Sequence, residues 1–206
     1  SARMDGANDN DLYARWQPCT YTLTYNANGG QFGSGDSALT TKQESDIRAG
    51  DHSLNYSPEY TPAHAKSEGK NVVFLGWSEE KDTTIHDKNS QFNPLSLTQS
   101  VTMDGNKTVY AVWGYDAIGG EGNTPDGVPD VFNAVVTYNI VGGTWDGTNN
   151  SATEVIKVKT FDKTTKIWTN TDAKLSSIPN INEVTPDENH TLPGSWGDSD
   201  PAPTTE

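Results

Sequence analysis

Two short strings occur twice in this chain, and the order in which they alternate constrains the fold more than any other feature. Leu12-Tyr13-Ala14-Arg15-Trp16 returns as Val109-Tyr110-Ala111-Val112-Trp113, and Thr24-Tyr25-Asn26-Ala27-Asn28-Gly29-Gly30 returns as Thr137-Tyr138-Asn139-Ile140-Val141-Gly142-Gly143. The first string alternates apolar and polar residues as a half-buried strand does. The second is a strand that runs into a double glycine, where positive φ is tolerated. Read as the closing and opening strands of a repeated unit, the strings give the order close, open, close, open. Internal repetition of this kind signals small units stacked in tandem.

The repeats divide the 206 residues as follows. Residues 1–16 are expected to be the closing strand of a preceding, truncated repeat. Residues 17–114 form a complete unit, 115–130 an acidic Gly/Pro hinge, 131–201 a second β module, and 202–206 a linker. Strands are expected over Tyr21 to Tyr25, Val72 to Trp77, Lys107 to Trp113, Ala134 to Ile140, Thr153 to Phe161 and, shorter, Lys166 to Thr169. Ser195-Trp196 is expected to partner Gly76-Trp77. The polar stretch from Gly33 to Lys70 reads as mostly irregular, with at most one helical turn at Asp46-Ile47-Arg48-Ala49. The fold class is therefore mainly β with little helix: two small β-grasp-like or β-sandwich modules in tandem.

Six Trp, eight Tyr and five Phe offset an apolar fraction of only 32%, because each ring buries a large area. Trp16, Trp77, Trp113 and Trp145 fall inside the strand and turn motifs, so their rings are expected to face inward. Fourteen basic against 28 acidic residues give a formal charge of −14. That charge repels phosphate backbones and anionic lipid, which argues against nucleic acid as a partner. No apolar run reaches the roughly 18–20 residues of a membrane span, so no membrane insertion is expected. A single cysteine, Cys19, rules out an intramolecular disulfide.

The string YTLTYNANGGQF, followed by FLGWS and closed by VTMDGNKTVYAVW, resembles the internalin-type B repeat, or Listeria–Bacteroides repeat, of wall-attached and secreted bacterial proteins. The resemblance runs from about Tyr21 to Trp113. It implies a small β-grasp-like fold, tandem arrangement and a stalk or adhesive role without catalysis. The insertion between Gly33 and Lys70 departs from the shorter repeat of that family. The second half, from Pro125 through VVTYNIVGGTWDGT to PGSWGDSDP, resembles a companion module of such surface proteins.

The candidate chemistry is sparse. Asp116, Glu121, Asn123, Asp126 and Asp130 stand among turn-forming Gly and Pro, and oxygen ligands in a tight loop are what Ca²⁺ requires. The segment from Asp126 to Asp130 resembles half of a dockerin-like calcium loop, but Gly122 and Thr124 stand where further ligands belong. A calcium loop and a proline-pinned hinge both stay open. Tyr56 and Tyr60, in the 55–60 loop, and Trp168 are the rings least tied to a repeat motif and so the candidates for contact with a ligand. His52, His64, His86 and His190 are scattered, and neither HExxH nor GxSxG occurs. Lys157 and Lys159 are strand lysines of the kind that crosslink in some bacterial surface modules, with no buried acid placed beside them by sequence.

The expectation is a non-catalytic structural and adhesive segment of an extracellular, bacterial cell-surface or secreted protein. Its partners are expected to be neighbouring repeats of the same parent chain and a host or bacterial surface protein or glycan. The alternative is an ancillary carbohydrate- or protein-binding module of a secreted hydrolase.

Overall fold

The structure, a computed structural model, describes residues 14–90, 97–120, 124–145, 147–162, 164, 167–173, 180–191 and 197. The first half contributes β1 (Thr20–Asn26), β2 (Thr41–Arg48), β3 (Gly50–Ser53), β4 (Asn71–Ser78), β5 (Ile85–His86), β6 (Ser100–Met103) and β7 (Lys107–Asp116). The second contributes β8 (Asn133–Asn139), β9 (Gly143–Thr144), β10 (Ser151–Lys157), β11 (Lys159–Asp162), β12 (Ile167–Asn170) and β13 (Thr185–Pro186). The described helical residues are confined to three-residue 3₁₀ turns. The fold is mainly β, as the sequence predicts.

The principal sheet has the order β2-β1-β7-β4. Its central strands β1 and β7 run parallel, while β2 and β4 lie antiparallel outside them. Two parallel strands at the centre and antiparallel ones outside make this a mixed sheet. Short β5 takes up the edge of β7 beyond the point where β1 leaves it, and β3 pairs with β6 in a separate ladder.

The front of this sheet carries the main core. Leu23, Tyr25, Val109, Ala111 and Trp113 point into it at the two-residue spacing of strands. Strand β4 needs a correction to that spacing, because Phe74 and Trp77 both reach the front core. A bulge between Phe74 and Gly76 supplies it, inserting Leu75 as an extra residue and shifting the register. Gly76 has φ +153, and a side chain there would meet Leu97 at 3.3 Å and the Tyr56 hydroxyl at 3.5 Å. With the strand re-aimed, Trp77 contacts Tyr25 and Phe74 edge-on at 5.1 and 5.0 Å and stacks on Phe32.

The two repeated strings touch within this unit. Trp113 Nε1 donates to the carbonyls of Ala27 and Asn28 at 3.1 and 3.0 Å. A Cβ on Gly30 would lie 2.5 Å from the indole of Trp113 and from the carbonyl oxygen of Ala63. The second glycine of the motif is thus required by the tryptophan that closes the sheet. In the second half Gly142 and Gly143 face His190 and the Thr185 carbonyl instead.

Two expectations fail in this half. The stretch from Gly33 to Lys70 lies mostly outside strands, as expected, but the helical turn expected within it does not form, and β2 and β3 stand there. The β2 sequence Thr41-Lys42-Gln43-Glu44-Ser45-Asp46-Ile47-Arg48 has one large apolar residue and no period. It is nevertheless extended because β1 offers a free row of backbone partners. Asp46, expected within a helical turn, has φ +60 in the strand.

Trp16 does not face inward. It is 89% exposed, and Ala14 to Trp16 form no strand. Both edges of β1 are occupied by β2 and β7, so Ala14 to Trp16 have no edge of that strand to join.

The second half is built, among its described residues, from two-stranded ladders: β8 with β10, β11 with β12, and β9 with β13. The expected long strand from Thr153 to Phe161 is broken at Val158, which separates β10 from β11. Ser195-Trp196 lies outside the described residues. This half leans on the back of the principal sheet. Phe132 forms a second core with Leu75 and Val112, flanked by Leu97, Val128, Val131 and Trp168. Leu75, the bulge residue, is therefore what the first unit presents to the second.

Candidate functional site

Strand β7 alternates faces to its last residue, so the back of the sheet carries Val112, Gly114 and then Asp116. The chain turns after Asp116 and returns across this face. A Cβ on Gly114 would come within 3.0 Å of Leu75 and 3.3 Å of Pro129, which shows how closely the returning segment lies.

Two buried aspartates hold the crossing. Asp116 is 4% exposed; its Oδ1 accepts the Asp126 N–H at 2.9 Å and its Oδ2 the Gly127 N–H at 3.0 Å. Asp130 is 5% exposed, and its Oδ1 accepts the N–H groups of Ala117 and Ile118 at 2.9 and 3.1 Å. Each carboxylate thus caps two amides of the other's segment. Asp126 continues the chain of bonds by accepting the Val128 N–H at 2.8 Å, and Lys157 on β10 places its ammonium 2.7 Å from Asp126 Oδ2. Burial pushes the Asp130 carboxyl above the ordinary carboxylate range; the Ala117 and Ile118 amides oppose this and nearby Asp116 adds to it.

Three of the five sequence-predicted calcium ligands, Asp116, Asp126 and Asp130, are therefore brought together, while Glu121 and Asn123 lie outside the described residues. Both Asp116 oxygens and Oδ1 of Asp130 accept backbone amides, and Asp126 meets the Val128 amide and the Lys157 ammonium. Among the described residues no three His, Cys, Asp or Glu side chains form a group that could hold a metal ion. Chemically the arrangement is a clasp. It ties the end of β7 to the segment that carries Pro129 and Phe132.

The candidate ligand-contact rings have structural partners. Trp168 packs on Phe132 and Phe161 at 4.7 and 5.2 Å and donates from Nε1 to the Leu75 carbonyl at 2.8 Å, so it links the two halves. Tyr56 sits against Phe74, and its hydroxyl donates to the Thr98 carbonyl. Burial pushes its pKa up to about 12. Tyr60 meets Tyr25 edge-on at 4.9 Å and lies under the Lys42 ammonium.

Sequence reasoning missed Glu44, on β2. Its carboxylate meets His52 Nε2 at 2.8 Å and accepts from Asn55 Nδ2 at 3.0 Å and the Tyr25 hydroxyl at 3.3 Å. Glu44, His52, Asn55 and Tyr56 line a shallow groove of about 600 Å³. The missing signal was β2 itself, whose polar sequence hides which residues share a face. The other histidines stand apart: His86 meets Asp82, His190 meets Asp187, and His64 bonds the Ala65 carbonyl.

No family model, curated protein or solved structure matches the chain. No helix among the described residues is long and apolar enough to cross a membrane.

Proposed function

We propose that this chain is a non-catalytic spacer and adhesive segment of an extracellular bacterial surface protein. In this reading its first unit is of the B-repeat type, and its partners are neighbouring units of the parent chain. The observation that carries the proposal is the junction. Asp116 and Asp130 cap each other's segments, and Phe132 and Trp168 seat the second half on Leu75 and Val112. A packed contact of this kind transmits orientation from one unit to the next, which a flexible linker does not. The charge of −14 suits a crowded, soluble surface array. The stiffness is assigned to the protein's own hydrogen bonds, so chelators should leave the melting temperature unchanged.

The test is mechanical. The segment is placed between a binding head and a surface anchor, and bead capture is compared with a Gly/Ser linker of equal residue number. Longer reach and narrower tether fluctuation for the segment support the proposal. Equal behaviour, or turnover of polysaccharide or peptide substrates by the segment alone, would end it.

The groove beside Glu44 favours a second reading, an ancillary carbohydrate- or protein-binding module of a secreted hydrolase. Binding on a glycan array that is lost in Glu44→Ala and His52→Ala would support that alternative.

A further inference from the structure

Lys157 and Asn133 are direct cross-strand partners at the end of the β8–β10 ladder. Their side chains leave the same face with Cβ atoms about 5 Å apart, well within the reach of a lysine. The Lys157 carbonyl is held from outside the ladder by the Thr171 hydroxyl at 2.7 Å. Asn133 is 7% exposed, yet neither the oxygen nor the nitrogen of its carboxamide has a hydrogen-bond partner. A buried amide in that state calls for a reason.

Asp126 Oδ2 is also buried and lacks hydrogen-bond geometry, although Lys157 Nζ stands 2.7 Å away. The amine approaches closely without donor alignment. Gly119 marks where the groups meet: a Cβ there would collide with Asp126 Oδ2 and lie 3.2 Å from Asn133 Nδ2. The carboxamide and the carboxylate converge at Gly119, where only a glycine leaves room, and the Lys157 ammonium reaches the same carboxylate oxygen.

We propose that Lys157 and Asn133 join in an intramolecular isopeptide bond, with Asp126 as the proton carrier. Asp126 takes one proton from the Lys157 ammonium, and the freed Nζ lone pair attacks Cγ of Asn133. The excess proton on Nζ passes to Nδ2, the Cγ–Nδ2 bond breaks, and ammonia leaves. It accepts the proton held by Asp126 and departs as ammonium, which restores the carboxylate. One amide replaces another, charge is conserved, and neither oxidant nor cofactor is needed. The Lys157 side chain is 47% exposed, which gives the ammonium a way out. Holding the amine beside the amide makes an otherwise slow condensation intramolecular. The bond locks the start of β8 to the end of β10, and it stands whether or not the segment is a spacer.

The test is the intact mass of the full chain under denaturing conditions, followed by peptide mapping. The expected result is a mass below the sequence value by one ammonia, with a branched peptide linking Lys157 to Asn133. Lys157→Arg, which keeps the positive charge, and Asn133→Ala should each restore the full mass. Asp126→Ala should leave the chain uncrosslinked. Asn133→Asp should change the loss from ammonia to water. A wild-type chain at its full sequence mass overturns the proposal. So does a loss of water mapped to Lys157 and Asp126, which would place the bond on the wrong acid.

Discussion

Replacing Asp116 with alanine removes one carboxylate and leaves two amides behind. The N–H groups of Asp126 and Gly127 would lose their acceptors at 2.9 and 3.0 Å in a site that is 4% exposed. Hydrogen bonds to a charged group contribute about 1.5–3 kcal/mol each, which sets a gross loss of about 3–6 kcal/mol. Part of this is returned, because the substitution also removes a buried charge that repels Asp130. A net cost of about 2–4 kcal/mol follows for Asp116→Ala. Asp116→Asn keeps one acceptor oxygen and should cost roughly half as much. Urea unfolding at neutral pH, followed by tryptophan fluorescence, measures both, and amide exchange at Asp126 and Gly127 reports the local opening. A loss below about 0.5 kcal/mol for the alanine variant, within the range of an ordinary surface change, would refute the clasp. Unchanged exchange at those two amides would refute it equally.

Other consequences can be checked on the same preparations. Gly30→Ala drives a methyl into the Trp113 ring and the Ala63 carbonyl and should cost about 1–3 kcal/mol by overpacking; Gly35→Ala, which has open space but φ +65, should cost only about 1 kcal/mol in the same thermal melts. Trp168→Phe keeps a ring against Phe132 but loses the bond to the Leu75 carbonyl, so a loss of about 1–3 kcal/mol is expected from the orphaned carbonyl and the smaller ring. Burial alone would raise the Asp82 carboxyl, but the Thr84 amide and hydroxyl together with His86 outweigh it and hold the group below its ordinary 3.8. Its stabilising effect is complete above 3.8 and fades as pH falls through the lower folded value; Asp82→Asn should therefore flatten the acid side of the stability curve. Asp130, raised chiefly by burial, has the opposite sign: protonation on the way down to pH 3.8 favours the folded state, and Asp130→Asn should abolish that gain.

The strands that build the front core were legible because rings and small apolar residues alternate in them. Tyr21 to Tyr25 and Lys107 to Trp113 carry their burial pattern openly. Strand β2 was not legible, since its extended form comes from the free edge of β1 and not from its own residues. The bulge at Leu75 was hidden for a similar reason. The run Val72 to Trp77 is apolar throughout, so nothing in it tells that Trp77 is re-aimed forward and Leu75 backward. Trp16 misled because a repeated string specifies a strand only where an edge is free to receive it. At the junction, sequence grouped Asp116, Asp126 and Asp130 correctly but left their partners unseen. Those partners are backbone amides and Lys157, which a pattern of carboxylates does not encode. Asn133 carried no motif at all; its place opposite Lys157 is set by the β8–β10 register.

Phe132 and Trp168 seat the second half on the back of the first sheet, so the two halves should move as one body. The sole cysteine, Cys19, is exposed, and Asn189 lies in an exposed turn of the second half. A dye pair on Cys19 and Asn189→Cys permits single-molecule energy transfer across the junction. One narrow distance distribution is expected, unchanged by calcium or chelator and broadened in Asp116→Ala. A broad or multiple distribution in the unaltered junction would contradict it.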